Sequence, residues 1–183
     1  MNVLIIYGSS REEGNTEWLT EKVAEGLTCT RVYLRNTNIR PIVDQRHAPG
    51  GFTPVDDDHD QIMQQMLAHD AVIFATPLYW YGMSGPMKDF IDRWSQSLRD
   101  ERLGFKEQIR GRNAYVVVTG GPDARLKGLP LIQQFGHIFD FVGMKFVAYI
   151  IANGGKPGQV QEDERAMLEA GWLNRFLHRQ SEG

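Results

Sequence analysis

The sequence contains a single cysteine, Cys29. An intrachain disulfide and a cysteine-ligated metal or iron–sulfur centre are therefore excluded, and Cys29 is expected to be a small hydrophobe beside a strand. There is no block of like charge: 20 Lys and Arg stand against 23 Asp and Glu, for a net charge of −3. Neither nucleic acid nor an anionic membrane surface finds a basic patch to hold. No apolar run approaches the length of a membrane span, and no basic segment with a cleavage site leads into the first apolar stretch, so a soluble, cytoplasmic protein is expected. Internal repeats and low-complexity tracts are missing as well. What remains is 183 residues, 42% hydrophobic and 23% charged, a balance that suits one globular domain spanning residues 1–183.

That chain alternates strand-like and helix-like segments. Residues 3–7 are an unbroken apolar run, which suits a parallel strand buried on both faces and hence a central place in a sheet. Further strands are expected at 31–34, 71–75, 114–118 and 146–151. Helices are expected from Asn15 or Thr16, either of which can cap, and after the acidic run 56–60. More follow from Ser84, from Pro130, and over roughly 160–177. The acidic run resembles a metal site at first sight, but adjacent carboxylates diverge, and ahead of Ile62, Met63, Met66 and Leu67 they suit an N-cap and first turn. No metal site is expected there. In the third helix Met83, Met87, Phe90, Ile91, Trp94 and Leu98 form a core stripe, with Lys88–Asp92 and Asp89–Arg93 as outward i,i+4 pairs. In the last helix Leu168, Trp172, Leu173, Phe176 and Leu177 are expected in the core. Five strands alternating with five helices imply a doubly wound, three-layer α/β/α sandwich around a parallel sheet.

In such folds ligands bind beyond the carboxyl ends of the strands, and three strand ends carry unusual loops. The first, residues 8–16, offers Ser9, Ser10, Arg11, Gly14, Asn15 and Thr16 at a helix start, where free N–H groups and the helix dipole favour an anion. Taken alone, a phosphate cradle and an ordinary turn whose Ser and Asn satisfy local backbone both remain open. The second, residues 77–82, holds Pro77, Leu78, Tyr79, Trp80, Tyr81 and Gly82, which suit either the walls of a flat ring or a self-association patch. Tyr79 and Trp80 are expected on opposite sides of an extended stretch. The third has Thr119, Gly120 and Gly121, where backbone can approach a ligand closely. A phosphorylated ring system would use all three loops. Several rival motifs fail: the P-loop spacing and its Lys, the dinucleotide G-x-G-x-x-G, the G-x-S-x-G elbow and a phosphatase cysteine are all absent.

The segments Gly-Ser-Ser-Arg-x-x-Gly-Asn-Thr at 8–16 and Thr-Pro-Leu-Tyr-Trp-Tyr-Gly-Met-Ser-Gly-x-Met-Lys-x-Phe-x-Asp-Arg at 76–93 closely resemble the flavodoxin-fold NAD(P)H-dependent FMN reductase family. The likeness continues through Gly120 and Gly121. It implies a flavodoxin-like α/β/α sandwich with strand order 2-1-3-4-5, an order the general rule for flavodoxins already contains. It also implies FMN as cofactor and NAD(P)H as electron donor. By that resemblance Ser9, Arg11, Asn15 and Thr16 hold the FMN phosphate, with Ser10 and Gly14 in the same loop. Pro77, Leu78, Tyr79, Trp80, Tyr81 and Gly82 line the isoalloxazine, and Thr119, Gly120 and Gly121 its pyrimidine side. Glu12 and Glu13 should point to solvent. Hydride would pass from NAD(P)H through FMN to a small acceptor such as a quinone, a nitroaromatic or free flavin, with no catalytic side chain required. The long connection 36–54, with Arg40 and Arg46, stands either as a cover for the nicotinamide cofactor or as a solvated loop. Iron–sulfur relatives carry cysteines between strand two and helix two, and residues 41–46 have none, so a cluster-bearing role is not implied. A homodimer with the flavin near its interface is implied. The rival readings are a non-enzymatic FMN-binding electron carrier or redox sensor, for which −3 is a mild charge, and an interaction protein that keeps the fold without flavin.

Overall fold

A computed structural model describes residues 1–182. Five strands, β1 (Val3–Tyr7), β2 (Cys29–Tyr33), β3 (Ala71–Pro77), β4 (Asn113–Gly120) and β5 (Lys145–Asn153), form one parallel sheet. Their order is β2-β1-β3-β4-β5, as the resemblance implies. The three inner strands, β1, β3 and β4, are buried almost throughout. Along β1 the side chains divide between two cores: Leu4 and Ile6 face one, Val3, Ile5 and Tyr7 the other. The unbroken apolar run is thus a strand covered on both sides.

Helix α1 (Asn15–Ala24) follows β1, and α2 (His59–Ala68) follows β2 after a long connection. Between β3 and β4 lie α3 (Gly85–Asp92), α4 (Trp94–Ser97) and α5 (Phe105–Ile109). Next come α6 (Ala124–Lys127) and α7 (Leu129–Val142), and α8 (Glu164–Glu182) closes the chain. One core packs α2, α3, α5 and α7 against the sheet, centred on Phe74, Phe135 and Phe139. The other packs α1 and α8 through Leu19, Val23, Ala170, Leu173 and Leu177.

Two packing expectations are overturned. Arg93 does not pair outward with Asp89. Its side chain is 1% exposed and its Nη1 meets Asp57 at 2.6 Å, because residue 93, still helical in its backbone, lies against the long connection, which supplies the Asp57 carboxylate and the Arg40 carbonyl. Leu168 and Trp172 are not core residues: they are 75% and 49% exposed, since the helix begins at Glu164, and the face that it turns to the sheet carries Ala166, Ala170, Leu173 and Leu177. Helix α5 was hidden in a charged segment; only Phe105 and Ile109 anchor it.

The capping expectation for the acidic run is not met at the N-cap itself: Asp58 holds that position of α2 and makes no side-chain cap bond. The Asp57 carboxylate also accepts from the amides of Arg40 and His59, and that of Asp58 from the amide of Asn38. Arg93 Nη1 donates to the Arg40 carbonyl at 3.0 Å. These bonds tie the two ends of the connection to each other and pin them to the end of α3. Burial pushes the Asp57 carboxyl up, but Arg93 and the two amides outweigh it and hold it below its ordinary value.

Candidate functional site

All three unusual loops lie at the carboxyl ends of β1, β3 and β4 and are bonded to one another. Thr16 Oγ1 lies 2.5 Å from Thr119 Oγ1, both buried, which joins the first loop to the third. The Leu78 amide donates to the Thr119 carbonyl at 2.8 Å, joining the second to the third. Ser84, the N-cap of α3, donates to the Gly8 carbonyl at 2.6 Å and ties the first to the second. A fourth loop enters from the end of β5. The Gly154 amide donates to the Gly120 carbonyl at 2.6 Å, and Asn15 Nδ2 donates to the carbonyls of Gly154 and Lys156 at 2.6 and 2.7 Å.

Asn15 is therefore a cross-brace and not a cap. Helix α1 has Gly14 at its N-cap position and no side-chain cap. Among the described residues the amides of Gly14, Asn15 and Thr16 donate to no acceptor. Orphan donors at a helix start, at the positive end of its dipole, make an anion site. Arg11 lines the same cleft, and its guanidinium pairs with no carboxylate among the described residues. Glu12 and Glu13 are exposed, as expected.

The cleft is lined by Ser9, Arg11, Gly14, Asn15, Thr16, Pro77, Leu78, Tyr79, Thr119, Gly120 and Gly121, together with Gly154 and Gly155. Ser9 Oγ shapes the loop by bonding both backbone atoms of Arg11. Ser10 is exposed and stands outside the lining, as does Gly82. Trp80 and Tyr81 wall an adjoining groove of about 340 Å³, which shares Leu78 and Gly121 with the cleft and continues to Pro122, Ala124 and Lys127.

The aromatic stretch is a tight turn, not an extended one. Tyr79 and Gly82 exchange both backbone hydrogen bonds at 3.0 Å, and the two residues between them have φ of 49° and 64°. Asn and Gly ordinarily fill such a turn. Bulky side chains there cost roughly 1–3 kcal/mol each, a cost that tends to persist where a site uses the shape. Its effect is to hold Trp80 in solvent, 95% exposed.

A family model described as the flavodoxin-like fold matches residues 1–176. The chain belongs to the flavodoxin-like fold family. Among curated relatives of this flavodoxin-like protein is YwqN of Bacillus subtilis (strain 168), provisionally named an NAD(P)H-dependent FMN-containing oxidoreductase. It is 49% identical over 174 residues, which cover 94% of this chain and 96% of YwqN. The FMN-dependent NADH:quinone oxidoreductase of Aromatoleum aromaticum is 26% identical over 193 residues, 93% of this chain and 96% of that protein. A solved structure of the Trp repressor binding protein from Bacillus subtilis superposes with a TM-score of 0.79 at 41% identity, covering 93% of this chain and 96% of that one.

The flavodoxin-like site fits the phosphate end of FMN by its donors: three amides without an acceptor and a guanidinium without a carboxylate among the described residues, at a helix terminus whose one first-turn acid, Glu17, is taken up by the Glu13 amide and Arg35. Beside them, a Cβ built on Gly121 meets nothing within 4 Å, so that backbone lies open to a ring edge. Three contributors escaped the sequence reading. Gly154 and Gly155 follow β5 as Gly120 and Gly121 follow β4, and the same strand-end rule would have found them. Arg35 lies under the first loop, stacked on Tyr33, bonded to Glu17 at 3.1 Å and reaching the Arg11 carbonyl at 3.4 Å. Helix α1 is further fixed to the sheet by Glu21, which accepts from Tyr7 and from Arg31. Burial raises the Tyr7 hydroxyl pKa well above its ordinary value, so it remains a donor.

Proposed function

We propose that this flavodoxin-like chain is an FMN-dependent NAD(P)H oxidoreductase that passes a hydride from NAD(P)H through FMN to a small acceptor such as a quinone, a nitroaromatic or free flavin. The observation that carries the reading is the convergence of four strand-end loops on one cleft whose donors suit a phosphate and whose rim is glycine backbone. The names of the relatives support the reductase over a carrier or sensor. FMN, when bound, supplies the hydride chemistry. The chain's own part is to hold and orient: Ser9, Arg11, Gly14, Asn15 and Thr16 secure the phosphate. Pro77, Leu78, Tyr79, Thr119, Gly120 and Gly121 bound the ring, and Trp80 and Tyr81 extend a wall for whatever approaches it. Ser10 and Gly82 shape the two loops. No side chain is assigned as acid or base. The working unit is one FMN-binding domain in the cytoplasm, acting on small molecules without nucleic acid or membrane partners, and assembled as a homodimer. Among the described residues no helix is long and apolar enough to cross a membrane.

The test is NAD(P)H oxidation by the FMN-loaded protein. Steady consumption dependent on added menadione or nitrofurazone is expected. Bound flavin that neither NADH nor NADPH reduces would end the reductase reading and favour the carrier.

A further inference from the structure

Strand β2 lies beside β1, and Tyr33 pairs with Tyr7 at the last step of their ladder. Whatever follows Tyr33 therefore emerges next to the loop that follows Tyr7 and starts α1. Arg35 stands there, in a single 3-10 turn over Leu34–Asn36. Its guanidinium lies 4.5 Å from the centre of the Tyr33 ring. Tyr33 in turn stacks on the fully buried Tyr7, with centroids 4.8 Å apart and an interplanar angle of 10°. A planar guanidinium suits such a platform, and the stack fixes where its charge sits. The side chain is 12% exposed.

What this charge faces is the first loop. Arg35 Nη1 donates to Glu17 Oε2 at 3.1 Å and reaches the Arg11 carbonyl at 3.4 Å. The same Glu17 oxygen accepts the Glu13 amide at 3.2 Å. Glu13 has a left-handed φ of 50°, which a non-glycine residue keeps only where its surroundings hold it. Arg35 and Glu17 together therefore grip the loop at residues 11 and 13, immediately before the amides of Gly14, Asn15 and Thr16. Charge supplies a second argument. Loop and first turn carry one base, Arg11, against three acids, Glu12, Glu13 and Glu17, a balance that repels a phosphate of about two negative charges. Arg35 offsets Glu17, and its guanidinium is not fully spent there: the buried Nε has no hydrogen-bond partner among the described residues, and the Glu12 carboxylate stands 3.9 Å away.

We infer that Arg35 is a positioning residue of the phosphate site, an assignment that rests on the FMN reading above. It acts without contact to the ligand, in two ways. It holds the loop through Glu17 and the Arg11 carbonyl, and its charge lets a helix start that has an acid in its first turn accept a dianion. Its effect is therefore on the choice between a phosphorylated flavin and the same flavin without phosphate.

The experiment is fluorescence titration of the full chain, freed of flavin, with FMN and with riboflavin. Arg35→Met is expected to weaken FMN about tenfold and riboflavin less than about twofold. Arg35→Lys keeps the charge and is expected to hold the preference for FMN within about threefold of wild type. Glu17→Gln keeps an acceptor oxygen for the Glu13 amide and removes the acid, so FMN should bind about threefold more tightly with riboflavin unchanged. Placed on Arg35→Met, it should restore most of the lost FMN affinity. Glu17→Gln alone decides the matter should Arg35→Met not fold. A wild type that binds FMN and riboflavin equally overturns the phosphate reading itself. With a wild type that prefers FMN, three results overturn the role of Arg35 alone: an Arg35→Met that keeps the full preference, an Arg35→Met that loses both ligands equally, as a merely structural residue would, or a Glu17→Gln that leaves FMN affinity where it was.

Discussion

Replacing Asp57 by Asn tests how the long connection is held. The Asp57 and Arg93 side chains are both 1% exposed, with Oδ2 and Nη1 2.6 Å apart. Oδ2 also accepts the Arg40 amide at 3.0 Å and Oδ1 the His59 amide at 3.1 Å. Asparagine keeps the shape but removes the charge, and whichever way its amide turns, its NH2 faces a donor. The guanidinium then keeps only neutral partners, the Arg40 carbonyl at 3.0 Å and Gln96 Oε1 at 2.9 Å. Removing one partner of a buried pair costs about 3–5 kcal/mol, a large part of a total stability of roughly 5–15 kcal/mol. With a urea slope near 2 kcal/mol per molar, the unfolding midpoint should fall by about 1.5–2.5 M. The paired change Asp57→Leu with Arg93→Met removes both charges and should recover most of the loss. A midpoint within about 0.5 M of wild type for Asp57→Asn would refute the reasoning, because it would mean that water already reaches the guanidinium.

Three further outcomes follow from the same geometry. Asn15→Ala leaves the Gly154 and Lys156 carbonyls without their donor and should cost about 1–3 kcal/mol in chemical denaturation; a wild-type midpoint would mean that the fourth loop holds itself. Arg11→Ala should weaken FMN binding by about 1–3 kcal/mol, read by flavin fluorescence, and unchanged affinity would remove Arg11 from the phosphate site. Burial holds the His59 pKa below its ordinary value, so the unfolded chain takes a proton near pH 6.5 that the folded one resists. Its contribution is whole above that pH and fades as pH falls, with a slope of at most ~1.4 kcal/mol per unit. His59→Gln should flatten the loss of stability between about pH 7 and pH 5, and an identical slope in the variant would exclude His59 as its source.

What was legible in the sequence followed from short-range pattern. The apolar runs at 3–7, 71–75 and 114–118 mark strands buried on both faces, and they bring the loops that follow them to one end of the sheet. The positions of Ser84 and Pro86 mark the start of α3, where Ser84 Oγ accepts the Met87 amide. What was not legible depends on long-range partners. Asn15 has the composition of a cap, and only the position of the β5 loop turns it into a brace 139 residues away in sequence from Gly154. Arg93 stands four residues from Asp89, as a surface pair would, and only the path of residues 37–58 supplies the carboxylate that draws it inward. Leu168 and Trp172 share a helical period with true core residues, and which arc meets the sheet is set by the small residues Ala166 and Ala170. Trp80 and Tyr81 have none of the chemistry of a left-handed turn, so no local rule predicts one there.

The central claim is that the amides at the start of α1, with Arg11, hold the phosphate of FMN. Parallel fluorescence titrations of the flavin-free protein with FMN and with riboflavin test it most directly, because the two ligands differ only in that phosphate. The account predicts that riboflavin binds at least about a hundredfold more weakly, the loss of two or more charge-assisted hydrogen bonds. Equal affinity for the two would contradict it.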